Sequence, residues 1–396
     1  MAPRKGRPGY MIRIITFGYH ASLSGPTIHC DALTNSLHRL RTPDVCMLLL
    51  EQRDNKLAQC LGGMLEEVGQ RFSAELMSDL VCVNDLVNHV EQYRGKMLRP
   101  TLLLVSAMGT ADTIDLGPLR EPAIITATVC EMVHMATLVH DDILDEAAMR
   151  RRGQTVNRLR GNETAVMLGD YLISHAYHLC SSLGRADISR AVAAATNTVC
   201  EGELLQLSNR QNWRLDERTY YEIIRRKTAA LCGLCCELPT LIAHDTGQRN
   251  GDEQLGKALF GYGEKLGIAF QIVDDLLDLA GDEPTVGKSL GRDLAKGKLT
   301  LPLIRYLSEA DELQSRAMLE LLDQCSEAAG SDETAPQHLY AQVVRRLQDS
   351  DAMGQARDTA SRLIDDASCL IERALPEGLA RQTLLAMAQA VVTRRF

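Results

Sequence analysis

Aromatic residues are scarce in this 396-residue chain: they make up 4% of it, with one tryptophan and five phenylalanines. Runs that alternate β-branched with polar residues are also rare, which argues against strands. Leu, Ala, Glu, Arg and Met are plentiful instead, and these lose little on entering a helix. The expected fold class is all-α. Length alone would allow two or three domains, but no Gly/Pro-rich stretch reads as an interdomain linker, so one domain is expected.

A basic excess is missing too. The net charge is -9, whereas a protein that grips phosphate backbones carries surplus Lys and Arg along one face. Nucleic acid is therefore not an expected partner. The dense thiol group in "LCGLCCELPTL", Cys232, Cys235 and Cys236, has no second CxxC or His pair to complete a zinc site. The twelve cysteines read as reduced core thiols of a cytoplasmic protein. No apolar run is expected to approach the eighteen or so residues that a membrane span requires.

Residues 1–55 differ from the rest, being basic, poor in acids and without sustained helical periodicity. An organelle presequence can look like this, and so can a disordered start. From Lys56 to the C-terminus helical patterns follow one another with short breaks, so 56–396 is read as the folded domain.

Two acidic motifs stand out. In "HDDILD", Asp141 and Asp145 are four apart and share a helix face, with Asp142 about 100° round. In "FQIVDDLLD", Asp274 and Asp278 repeat the arrangement, with Asp275 between them. Carboxylates crowded in this way raise each other's pKa unless something positive lies between them. Hard oxygen ligands without Cys or His suit magnesium, which takes one or two carboxylates and fills its remaining sites with water and substrate phosphate. A single DDxxD is easily a solvated helix face. Two copies, each closing an apolar segment, favour a clamp on a polyphosphate.

Cations that interrupt apolar stretches supply the complement. "GKMLRP" offers Lys96 and Arg99, expected on one helix face, and "MRR" offers Arg150 and Arg151. "RRKTAAL" has Lys227 and Thr228, and "GKSLGRDLAKGKLTLP" has Lys288 and Lys298. His134, seven residues before Asp141, points the same way along its helix.

Together GKxxRP, DDxxDxxxxRR, KT, FQxxDDxLD and GKxxGxDxxxGKxTLP, in this order, resemble the trans-isoprenyl diphosphate synthases, the polyprenyl synthetases. The resemblance runs from about residue 57 to the end. It implies a helical bundle around a deep central cavity, a homodimer, and a magnesium-dependent transferase with three ions per site. Asp141, Asp142, Asp145, Asp274, Asp275 and Asp278 would be the metal ligands, with Asp141, Asp145, Asp274 and Lys227 central to catalysis. Lys96, Arg99, His134 and Arg151 would bind isopentenyl diphosphate. Arg150, Lys227, Thr228, Gln271, Lys288 and Lys298 would surround an allylic diphosphate, farnesyl or geranylgeranyl.

Ala136 and Thr137 lie about 6 to 7.5 Å down the helix from the first motif. In the resembled family an aromatic here stops the product short. Small residues imply a medium or long all-trans chain of the octaprenyl type, a quinone side-chain precursor. A geranylgeranyl or farnesyl synthase, or a noncatalytic subunit, are the alternatives. The lipid product implies peripheral membrane contact. Two departures lie beside the proposed pockets: Arg94 stands where glycine is usual, and "RRRGQTVN" has Arg152 and Gln154 in unusual places.

Overall fold

Helix propensity and the 3.6-residue apolar period carry through to the computed structural model, which describes residues 55–91, 95–150, 153–244, 253–280, 291–328 and 336–393. Helices α1 (Asn55–Leu76), α2 (Val81–Glu91) and α3 (Leu98–Ala111) lead into α4 (Arg120–Leu144). An antiparallel hairpin follows, β1 (Met149–Arg150) with β2 (Gly153–Gln154), and it is the only strand pair among the described residues. Next come α5 (Val156–Arg160), α6 (Asn162–Ser181), α7 (Ala186–Ser208) and α8 (Glu217–Ile224). A π-turn over Arg225–Ala229 joins α8 to α9 (Ala230–Ala243). The chain continues with α10 (Glu253–Ala280), α11 (Arg292–Ala295), α12 (Leu301–Glu309) and α13 (Glu312–Ala328), then α14 (Gln337–Gln348), α15 (Ala352–Ala374) and α16 (Leu379–Val392). All of the described residues fall in one compact unit.

Helices α3, α4 and α9 are apolar on nearly every side, and they are buried accordingly: Leu102 to Ala107 and Thr126 to Val133 are continuously buried. A helix with no polar stripe belongs in a core. The segment Gly117–Leu144 is in fact long and apolar enough to cross a membrane, which corrects the expectation that no run would approach that length. Of its most apolar 18-residue window, 78% is buried inside the protein, so burial in the bundle accounts for its hydropathy.

Close approach of α9 and α10 depends on glycine. A Cβ on Gly263 would lie 2.4 Å from the Cys232 carbonyl oxygen, and one on Gly267 would lie 2.7 Å from the Ala229 Cα. Without those side chains the two backbones pack tightly. As a result the π-turn and the second acidic motif are neighbours. Tyr262, fully buried on α10, donates to the Leu384 carbonyl at 2.7 Å and ties in α16.

The start of α3 differs from the sequence expectation. Met97 adopts a left-handed conformation (φ 52°) and the helix begins at Leu98. Lys96 and Arg99 therefore do not share a helix face, because Lys96 precedes the helix. Pro100 sits in the first turn, where its missing N–H breaks no helical bond.

Candidate active site

Both acidic motifs occupy the C-terminal turns of their helices. Asp145 is the C-cap of α4, and Asp274, Asp275 and Asp278 lie in the last two turns of α10. Helix C-termini carry partial negative charge, so acids there are disfavoured unless cations oppose them. The structure supplies such cations from distant parts of the chain.

Asp141 and Asp145 face the same side, as their spacing requires. Lys227 Nζ is 3.6 Å from Asp141 Oδ2 and also pairs with Glu203 of α7. Asp145 has a cation on each oxygen: Arg210 Nη2 donates to Oδ1 at 2.8 Å, and Lys298 Nζ to Oδ2 at 3.1 Å. Burial resists the charge on Asp145, but Lys298, Lys227 and Arg210 outweigh it and hold its pKa below the usual range. On Asp141 burial wins, helped by Glu203 and Asp145 against Lys227 and Lys298, and the pKa is raised.

The middle acid of each motif turns inward. Asp142 is 2% exposed, and its Oδ1 accepts from Arg150 Nε at 2.8 Å and pairs with Nη2 at 2.7 Å. Its Oδ2 is buried without a hydrogen-bond partner among the described residues. Asp275 is equally enclosed: Tyr220 donates its hydroxyl to Oδ2 at 2.7 Å and Gln271 its amide to Oδ1 at 2.9 Å. Burial, with Asp293 nearby, pushes the Asp275 carboxyl well above its ordinary pKa. The motif resemblance assigns Asp142 to a metal and Arg150 to a diphosphate, whereas here the two hold each other. The 100° step between adjacent helical residues is the reason.

Asp278 accepts from the Asp293 backbone N–H at 3.3 Å, and its backbone oxygen accepts from Gly291 N–H at 3.2 Å. Burial and the charge of Asp293 push its pKa up to about 7. Lys298 Nζ lies 3.9 Å from Asp293 Oδ1 while holding Asp145. One lysine thus spans from the first motif to the segment that wraps the second. On the other flank Thr228 donates to Gln271 Oε1 at 3.0 Å, and Gln271 passes the chain to Asp275.

Lys227, Thr228, Gln271, Asp275, Asp293 and Lys298 line a cavity of about 110 Å³. That is well below the several hundred Å³ of a typical small-molecule site.

Of the remaining predicted residues, Arg99 is half-buried near the Cys232 and Cys235 thiols, and its Nε is buried without a hydrogen-bond partner among the described residues. Lys96 is exposed and His134 half-buried. Arg151 and Lys288, like Arg94 and Arg152, lie outside the described residues. Ala136 is fully buried on α4, and Thr137 donates its hydroxyl to the His134 carbonyl at 2.7 Å. Sequence reasoning missed Glu203, Arg210 and Tyr220. Nothing in "CEGELLQLSNRQ" or "ERTYYEII" marks them. Asp293 lies inside GKxxGxDxxxGKxTLP, but its position in the string suggests no role for it.

Among the described residues no three acidic, His or Cys side chains converge into a ready-made ion cage. The acids are instead paired with cations across a cleft. A donor set of carboxylates without His or Cys fits a hard divalent ion that shares its shell with substrate phosphate, more than a softer metal in an all-protein site.

Fold and site define an all-α protein in which two aspartate-bearing helix C-termini are linked through Lys298 and the Asp293 segment. The sequence profile of the polyprenyl synthetase family matches residues 81–339. An octaprenyl diphosphate synthase of Haemophilus influenzae is 32% identical over 84% of this chain and 94% of its own. A geranylgeranyl pyrophosphate synthase of Geoglobus acetivorans is 33% identical over 77% of this chain and 89% of its own. The crystal structure of a polyprenyl synthase from Caulobacter crescentus complexed with calcium and isoprenyl diphosphate superposes with a TM-score of 0.74 at 27% identity, over 86% of this chain and 98% of that one. The chain belongs to the polyprenyl synthetase family, and it is a prenyltransferase.

Proposed function

We propose that the protein condenses isopentenyl diphosphate with an allylic diphosphate, farnesyl or geranylgeranyl, in the presence of magnesium to make a medium- or long-chain all-trans polyprenyl diphosphate. The observation that carries this is the opposition of two aspartate-bearing helix C-termini, joined through Lys298 and flanked by Lys227. In the family, three magnesium ions would be shared between Asp141, Asp145, Asp274 and Asp278. Bound metal neutralises the diphosphate as its carbon–oxygen bond breaks. Lys227 and Lys298, already within reach of the acids, would turn to the leaving oxygens and stabilise the charge that develops there. Thr228 and Gln271 would orient the same group. Lys96, Arg99, His134 and Arg151 would hold isopentenyl diphosphate, whose double bond attacks the allylic carbon. The proton lost from the adduct goes to the released pyrophosphate.

Buried Ala136 makes the wall below the metals small, which favours a long product, and the octaprenyl synthase relative supports the same reading. The geranylgeranyl synthase relative supports a shorter one. The test is to incubate the protein with farnesyl diphosphate, labelled isopentenyl diphosphate and magnesium, then resolve the dephosphorylated products. Polyprenols beyond geranylgeraniol are expected. A stop at geranylgeraniol would overturn the chain-length reading, and no condensation at all would overturn the enzyme.

A homodimer is part of the proposal, supported by the exposed apolar pair Val166 (42%) and Met167 (64%) on α6. Sedimentation at the mass of one 43.6 kDa chain would refute it. A cytoplasmic location is proposed from the scattered thiols and is checked by cell fractionation.

A further inference from the structure

Arg210 lies in no motif, yet the fold delivers it to the first acidic cluster by a constructed route. The turn after α7 is pinned by three hydrogen bonds to two separate segments. Gln211 N–H donates to the Gly297 carbonyl at 2.8 Å, the Gln211 amide to Ser326 at 2.8 Å, and the Trp213 indole to Asp323 at 2.5 Å. Gly297 is next to Lys298. The same turn therefore sets Arg210 and Lys298 side by side on the two oxygens of Asp145. The guanidinium also donates twice to the Leu144 carbonyl at 3.2 Å, one of the unpaired oxygens at the end of α4.

We infer that Arg210 is a resident counter-ion which makes metal binding at Asp145 depend on diphosphate. The inference rests on the metal-clamp reading of the two aspartate motifs. Each Asp145 oxygen already carries a cation, so a metal that shares either oxygen meets the repulsion of Arg210 and Lys298 unless they move away. A metal arriving alone would leave Arg210 and Lys298 half-buried beside a dication, and an unpaired buried charge is costly. A diphosphate brings acceptor oxygens for the displaced cations, so the two ligands favour each other's binding. Arg210 is a positioning residue for this exchange, and the Leu144 carbonyl holds it in place.

The test is manganese binding to the full-length protein, followed by paramagnetic resonance with and without inorganic pyrophosphate. The wild type is expected to bind manganese weakly alone and tightly with pyrophosphate. Arg210→Met is expected to bind manganese alone about tenfold more tightly and to lose a similar factor of coupling, within the ordinary range of such energies. Arg210→Gln keeps a polar amide at this position but carries no charge. It should behave like Arg210→Met, whereas Arg210→Lys should behave like the wild type. If Arg210→Gln kept wild-type affinity and coupling, the charge at this position would not govern metal binding and the inference would fail. Unchanged or weaker manganese affinity in both uncharged variants would sink it as well. A wild type that bound no manganese even with pyrophosphate would instead overturn the metal clamp itself.

Discussion

Asp278 is an acid whose pKa stands near 7 against an ordinary value near 4. Below about pH 4 it is protonated in folded and unfolded chains alike. As pH rises from about 4 to about 7 the unfolded chain releases the proton and the folded chain keeps it, so the stability this group contributes is lost across that window. In metal-free protein, Asp278→Asn should melt at an increasingly higher temperature than the wild type between about pH 5 and pH 7.5. Scanning calorimetry in chelator would show it, and a difference independent of pH would refute the cause assigned to the shift. The same residue shows how far sequence reading reached. Its spacing from Asp274 was legible, because i and i+4 share a face. Its burial against Asp293 and the Gly291 N–H was not, because those groups come from a separate segment.

At the scale of elements, the π-turn decides where Lys227 points. Lys227 lies inside this turn and its Nζ meets Asp141 and Glu203, while the wider winding shifts the helical phase of the residues that follow. Helix α7 comes so close that a Cβ on Gly202 would lie 2.5 Å from Lys227 N and 2.7 Å from Arg226 Cβ. Gly202→Ala should therefore push the turn aside. Turnover is expected to fall on the order of 10- to 100-fold, the usual effect of misplacing a reacting contact by about 1 Å. In a Lys227→Met background the same substitution should cost little more, since contacting sites are not additive. Full additivity in the double-mutant cycle would show that Gly202 acts elsewhere. The sequence singled out Lys227 as a cation interrupting an apolar stretch. It held no sign of the π-turn, since "RRKTAAL" is compatible with an ordinary helix.

At the scale of the whole molecule, the proposed chain-length reading makes product length depend on how α4 packs against its neighbours. Ala136 sits five residues before Asp141 and is wholly buried, so a larger side chain there must press into those neighbours or displace the core. Ala136→Tyr is expected to shift the product distribution by several isoprene units toward shorter chains while condensation continues. An unchanged distribution, read by chromatography of the dephosphorylated products, would mean that the chain runs along another wall. Substrate entry is also a whole-molecule property. The cavity of about 110 Å³ is bounded by residues as far apart in sequence as Gln206 and Thr300.

Local physics was enough for much of this protein. Helix-forming composition specified an all-α chain, and four-residue spacing placed Asp141 with Asp145 and Asp274 with Asp278. The order of short motifs identified the family. The tertiary structure alone decided which acids face the cleft and which are buried, and that Lys298 meets Asp145 across 153 residues. It also brought the unmarked residues Glu203, Arg210 and Tyr220 to the site. Spacing along one helix is a property of the backbone and can be read from a string. Pairing between helices depends on packing, on glycine contacts such as Gly202 and Gly263, and on the free energy of burying charge only where an opposite charge can reach it.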